Sequence, residues 1–122
     1  MINWVVNSLK NNQEIKVVND QINNPVSVYD CSRTINQLIN ESTLGKYHLG
    51  SDNLCSRFDF AMKIAKVWNL DSNLVSEIST KQLKRTLQSF KAERPLKSGL
   101  LSKFDFLPRY SLENSIKEIK NI

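Results

Sequence analysis

The chain has 122 residues, of which 40% are hydrophobic and 24% charged, with a formal net charge of +5. This length and balance suit a single globular domain over 1–122 with one modest core, and exclude a disordered chain. No apolar run approaches the roughly 20 residues needed to cross a bilayer. The opening Met1-Ile2-Asn3-Trp4-Val5-Val6 also lacks the basic segment and cleavage site of a signal peptide, so a cytoplasmic location is expected.

In chain order, Ile2, Val5, Val6 and Leu9 recur at helical spacing and predict a first helix that Asn11-Asn12 ends. Trp4 stands apart from that face, which implies a second covered side. Glu14 to Val18 has the β-branched content of a short strand. Asn19 to Pro25 reads as a turn-rich loop, and Asn24-Pro25 keeps the chain extended into Val26-Ser27-Val28. A second helix is predicted near Asp30, an N-capping residue type, with Cys31, Ile35, Leu38 and Ile39 facing the core. After Gly45, Lys46-Tyr47-His48-Leu49 looks like a strand, which makes His48 a packed strand histidine. Ser56-x-x-Asp59 reads as a capping box ahead of an apolar stripe of Phe60, Ala61, Ile64, Ala65 and Trp68. Leu74 to Ile78 suits a strand, and Thr80 to Phe90 is ambiguous between helix and loop. Arg94-Pro95 breaks any continuing helix. A last helix follows Ser111, with Leu112, Ile116 and Ile119 inward.

Charge is uneven. Residues 81–109 hold Lys81, Lys84, Arg85, Lys91, Arg94, Lys97, Lys103 and Arg109 against Glu93 and Asp105, a net +6. Such a stretch suits an anionic ligand such as a diphosphate, or is a solvated basic face. Nucleic acid is disfavoured as a partner because no recognised module with stacking aromatics accompanies the charge. Cys31 and Cys55 form no Cys-x-x-Cys, and His48 has no second ligand at metal spacing, so no metal site is expected. The three glycines, Gly45, Gly50 and Gly99, make no phosphate-binding glycine turn, which a Rossmann-type cofactor site needs. Four residues after Tyr29, Tyr47 and Tyr110 stand Arg33, Ser51 and Asn114, so the Tyr-x-x-x-Lys pair of short-chain reductases is absent.

Several segments, read in order, resemble one family. Asn3-Trp4-Val5-Val6 leads to Ile15-Lys16-Val17-Val18-Asn19-Asp20-Gln21-Ile22-Asn23-Asn24-Pro25-Val26. This is similar to the dTDP-4-dehydrorhamnose reductase pattern of an Asn-Phe-Val helix before a strand ending in Asp-Gln-x-Gly-x-Pro-Thr. Asp20, Gln21 and Pro25 match, while Asn23 and Val26 replace the usual glycine and threonine. Gly45-Lys46-Tyr47-His48-Leu49 resembles the family's Gly-x-Tyr-His-Leu. Ile78-Ser79-Thr80 and Arg94-Pro95-x-x-Ser98-x-Leu100 resemble its Ile-x-Thr and Arg-Pro-x-x-Ser-x-Leu elements. Phe106-Leu107-Pro108-x-Tyr110-Ser111-Leu112 resembles its closing turn and helix.

The resemblance implies an α/β chain of short strands alternating with helices, an incomplete C-terminal part of an extended short-chain dehydrogenase/reductase fold without the Rossmann cofactor half. It implies binding of a dTDP-sugar through Asp20, Gln21, Asn24, Pro25 and Arg94. For Gln21 and Asn24 the alternative is plain turn chemistry, and for Arg94 a salt bridge. No cofactor is expected in this chain, NADPH being implied for the complete family member, and no catalytic residue. A separate Rossmann-domain chain or a second copy is the implied protein partner. The alternative function is a non-catalytic interaction module, as in the methionine adenosyltransferase regulatory subunit, which shares the fold.

Overall fold

The computed structural model describes residues 1–42, 44–52, 54–86 and 110–122. The chain divides into two compact units, one of residues 1–23 and 55–98, the other of residues 24–54 and 99–122.

In the first unit, helix α1 (Ile2–Lys10) buries Val5, Val6 and Leu9. It ends where Asn11 returns its side-chain amide to the Asn7 carbonyl at 2.9 Å and Asn12 turns left-handed. Strand β1 (Ile15–Val18) buries Ile15, Val17 and Val18 and pairs in parallel with β4 (Val75–Ile78), Ile15 opposite Val75 and Val18 opposite Ile78. Helix α3 (Arg57–Trp68) packs on α1, β1 and β4. Its inward Ala61, Ile64 and Ala65 are fully buried, and two alanines one turn apart let the backbones approach closely. The predicted capping box is present: Ser56 Oγ accepts from Asp59 N at 3.0 Å and the Asp59 carboxylate accepts from Ser56 N at 3.0 Å. A 3₁₀ turn (Ser72–Leu74) leads into β4.

One element here went unforeseen, and one ambiguity is resolved. The loop expected over 19–25 contains a short strand, β2 (Ile22–Asn23), antiparallel to β3 (Cys55–Ser56). The ambiguous segment after Ser79 is helix α4 (Thr80–Thr86). It is started by a capping box, Gln82 N donating to Ser79 Oγ at 3.2 Å and Ser79 N to Gln82 Oε1 at 3.0 Å.

The second unit contains α2 (Val28–Asn40) and α5 (Leu112–Lys120), the latter capped by Ser111 as predicted, with Leu112 and Ile116 buried. Helix α2 corrects the sequence reading twice. Its N-cap is Ser27, whose Oγ accepts from Asp30 N at 3.0 Å, so Asp30 lies inside the first turn. Its inner face is polar: Asp30 and Thr34 are buried, whereas Ile35 and Ile39 are 57% and 69% exposed and Cys31 and Leu38 half-buried. The reason is the Asp30 carboxylate, which accepts from Ser27 Oγ at 2.7 Å, Ser115 Oγ at 2.6 Å and Arg33 at 2.7 Å, with Arg33 also paired to Glu118. A buried carboxylate this fully bonded fixes which side of the helix faces inward. The strand expected over Lys46–Leu49 is not formed, and His48 is exposed. Among the described residues this segment has no neighbouring strand to take its ladder hydrogen bonds. The helical segment from Leu87 to Phe90 and the Arg94-Pro95 break lie outside the described residues.

Candidate functional site

The first unit joins its loop to its last helix through Thr80. The Thr80 hydroxyl donates to Asp20 Oδ1 at 2.6 Å, and the Thr80 N–H lies 3.1 and 3.0 Å from the two Asp20 carboxylate oxygens. Gln21 Nε2 donates to Thr80 Oγ1 at 3.2 Å, and the Gln21 carbonyl accepts from Arg57 N at 3.2 Å. Bonds from the Thr80 hydroxyl and N–H stabilise the charged carboxylate, so they hold Asp20 below its ordinary value against the opposing effect of burial. The two-residue step Asp20-Gln21 thereby secures the first residue of α3 and the first residue of α4.

Those two helices, with α1 and β1, wall a cavity of about 360 Å³ lined by Met1, Trp4, Lys16, Val17, Val18, Arg57 and Leu83. Trp4 is 48% exposed, and Asn3, Asn7 and Lys10 of the same helix are exposed as well, so the second covered side expected of α1 is not covered among the described residues; Trp4 borders this cavity instead. Lys16 projects from the exposed side of β1, between the buried Ile15 and Val17. Sequence reasoning singled out neither Lys16, Arg57 nor Leu83 as a site residue. They share no motif, and only the fold gathers them.

Of the five residues expected to meet a ligand, Asp20 and Gln21 come together on Thr80, Gln21 being buried. Asn24 is buried and Pro25 half-buried, both in the second unit. Arg94 lies outside the described residues. Burial, with the neighbouring Asp59, pushes the Cys55 thiol up, and Lys63 opposes this only partly; a thiol so placed is a poor nucleophile. Among the described residues no group of three His, Cys, Asp or Glu side chains could hold a metal, and no helix is long and apolar enough to cross a membrane. The described residues do not fit a dinucleotide pyrophosphate either. β1 runs on into β2 rather than into a helix, and the helix after β4 already carries the Asp20 carboxylate on its first N–H, where a phosphate would be repelled.

The first unit is thus an α/β arrangement of a short parallel pair with helices packed on it and a cavity walled by α1, β1, α3 and α4. Residues 1–109 match the model of the family described as the RmlD substrate binding domain, and the chain belongs to that family. The structure is similar to a dTDP-4-dehydrorhamnose reductase from Bacillus anthracis in complex with NADP, at 31% identity and a TM-score of 0.86, covering 99% of this chain and 42% of that one. A second, from Clostridium acetobutylicum, aligns at 27% identity and TM-score 0.81 with the same coverage. A reductase from Yersinia enterocolitica shares the fold at 20% identity and TM-score 0.78, over 96% of this chain and 41% of that one. The chain therefore spans less than half the length of these relatives. No curated protein matches it significantly in sequence.

Proposed function

We propose that this chain provides the sugar-nucleotide side of a dTDP-4-dehydrorhamnose reductase-type oxidoreductase, holding a dTDP-sugar while NADPH and the proton donor are carried by polypeptide outside these 122 residues. The observation that carries the reading is the family match over residues 1–109, to a domain described as substrate-binding. The lack of a glycine-rich turn and of a Tyr-x-x-x-Lys pair supports the division of labour, as does the carboxylate on the start of α4. In this reading Asp20 and Gln21 shape the loop that meets the ligand, Asn24 and Pro25 continue it, and Arg94 takes the diphosphate, for which a guanidinium fork is suited. The outward apolar face of α2 favours a second role, as the surface that holds a partner chain.

Calorimetric titration of dTDP-rhamnose into the chain tests the reading. Binding is expected, with no NADPH oxidation above a heat-killed control when dTDP-4-dehydrorhamnose is supplied. Arg94→Ala should weaken binding about ten-fold or more, the loss of one charge-assisted contact, and Arg94→Lys should restore part of it. Lys63→Ala, on α3, should change little. Silence at millimolar ligand would refute the proposal. Turnover abolished by a substitution within the chain would show that the chemistry resides here after all.

A further inference from the structure

Thr80 carries more bonds than the start of a helix needs. β1 and β4 run in parallel with Val18 opposite Ile78, and Asn19 N donates to the Ile78 carbonyl at 3.0 Å, so Asp20 and Thr80 leave the two strands side by side. Helix α4 is already started by the reciprocal bonds of Ser79 and Gln82. The Asp20 carboxylate, which accepts the Thr80 hydroxyl at 2.6 Å and the Thr80 N–H, is a second hold on the same turn. The hydroxyl has one proton to give, and with that on Asp20 it accepts from Gln21 Nε2 at 3.2 Å. One side chain thus holds two consecutive residues of the segment that runs into β2. The far side of that segment is held as well. The Gln21 carbonyl accepts from Arg57 N, and Ile22 and Asn23 pair with Ser56 and Cys55.

We propose that Thr80 is a positioning residue for the ligand loop, fixing Asp20 and Gln21 so that the backbone of residues 20–23 is set before a dTDP-sugar binds. The inference rests on the sugar-nucleotide reading above and deepens it by naming the residue that shapes the loop. A carboxylate turned toward a diphosphate would repel it, so an acid in such a loop serves by bonding elsewhere, and Thr80 is where Asp20 bonds. Gln21 is buried and its amide donates to the same hydroxyl, so it too acts by holding the chain. A loop ordered in advance has less conformational freedom to lose on binding, which raises affinity without a new contact. The side chain suits the task. Serine would keep both hydroxyl bonds, whereas valine would keep the shape and lose both.

The experiment titrates dTDP-rhamnose by calorimetry into the full chain and into Thr80→Val, Thr80→Ser, Ser79→Ala, Asp20→Ala and Asp20→Ala/Thr80→Val, each well below its own melting temperature. Thr80→Val should weaken binding about ten-fold, and Thr80→Ser should stay within about two-fold of wild type. Ser79→Ala should melt earlier, having lost the α4 cap, yet bind within about two-fold of wild type. In the Asp20→Ala background, Thr80→Val should weaken binding by no more than about three-fold, because the main bond is already gone. Amide exchange supplies a readout that needs no variant. The Thr80 N–H is bonded to Asp20, and saturating dTDP-rhamnose should slow its exchange about ten-fold, since coupling between ligand and loop is reciprocal. Wild-type binding matched by folded Thr80→Val overturns the role of Thr80 and leaves the proposed function standing. Equal weakening by Ser79→Ala and Thr80→Val traces the effect to the stability of α4 and also overturns it. A full ten-fold loss from Thr80→Val in the Asp20→Ala background, or a Thr80 amide whose exchange the ligand leaves unchanged, does the same. No binding by the wild-type chain at millimolar ligand removes both readings.

Discussion

Asp20 shows how one carboxylate replaces several ordinary devices at once. It accepts the Thr80 hydroxyl and N–H across 60 positions of sequence, supplies negative charge to the start of α4, and keeps Gln21 beside the same hydroxyl. The depressed pKa makes this contribution dependent on pH. The charged form is favoured in the folded state, so the stabilisation is fully present above the unfolded carboxylate value of about 3.9 and fades as pH falls through the lower folded value. Asp20→Asn should therefore destabilise the chain by roughly 1–2 kcal/mol at neutral pH, and the gap to wild type should shrink progressively below pH 4. Denaturant melts of both proteins at pH 7 and pH 3 measure it. A gap unchanged between those values would mean that the carboxylate charge contributes nothing. The motif Asp20-Gln21 was legible in the sequence, but its partner was not, because Thr80 is adjacent only after β1 and β4 pair.

Helix α2 is the element whose amphipathicity misleads. Its apolar stripe is regular, and a stripe at helical spacing ordinarily marks the core side. Here the stripe faces outward, and Ile35, Leu38, Ile39 and Leu44 border an open apolar hollow of about 520 Å³ in their own unit. The opposite side carries Asp30 and Thr34, and the bonds from Ser27, Arg33 and Ser115 outweigh the burial of two isoleucines because an unpaired buried carboxylate is costlier than an exposed methyl. A surface of this kind drives association. The double variant Ile35→Glu/Ile39→Glu should fold, since neither side chain is buried, and should reduce concentration-dependent self-association and binding of a hydrophobic dye. Sedimentation and dye fluorescence across a concentration series decide this; loss of the cooperative melt in the double variant would place those isoleucines in the core after all. Helix α3 is the contrasting element. There the capping box forms and Ala61, Ile64 and Ala65 of the stripe are buried, with Phe60 and Trp68 at its ends half-buried, because its small inward residues and local cap ask for the same orientation.

Among the described residues the two units differ in what they bury. The first buries Val5, Val6, Leu9, Ile15, Val17, Val18, Ala61, Ile64, Ala65 and Val75. The buried aliphatic residues described in the second are Leu112 and Ile116, beside Asp30, Thr34, Ser27, Ser51 and Ser115. Apolar burial is the principal source of resistance to opening, and a polar interior gives less per residue because its groups exchange one set of hydrogen bonds for another. Amide exchange should therefore be slowest in β1, β4 and α3 and measurably faster in α2 and α5. Equal protection in all five elements would show that the polar network around Asp30 matches an apolar core. The sequence by itself determined the helices α1, α3 and α5, the strands β1 and β4, and the family, since these rest on local periodicity, caps and ordered motifs. Tertiary structure alone decided the inward side of α2, the missing strand over Lys46–Leu49, the partner of Asp20 and the gathering of Trp4, Lys16, Arg57 and Leu83. Each of those depends on which neighbour lies across the fold, and a local pattern carries no information about a residue sixty positions away.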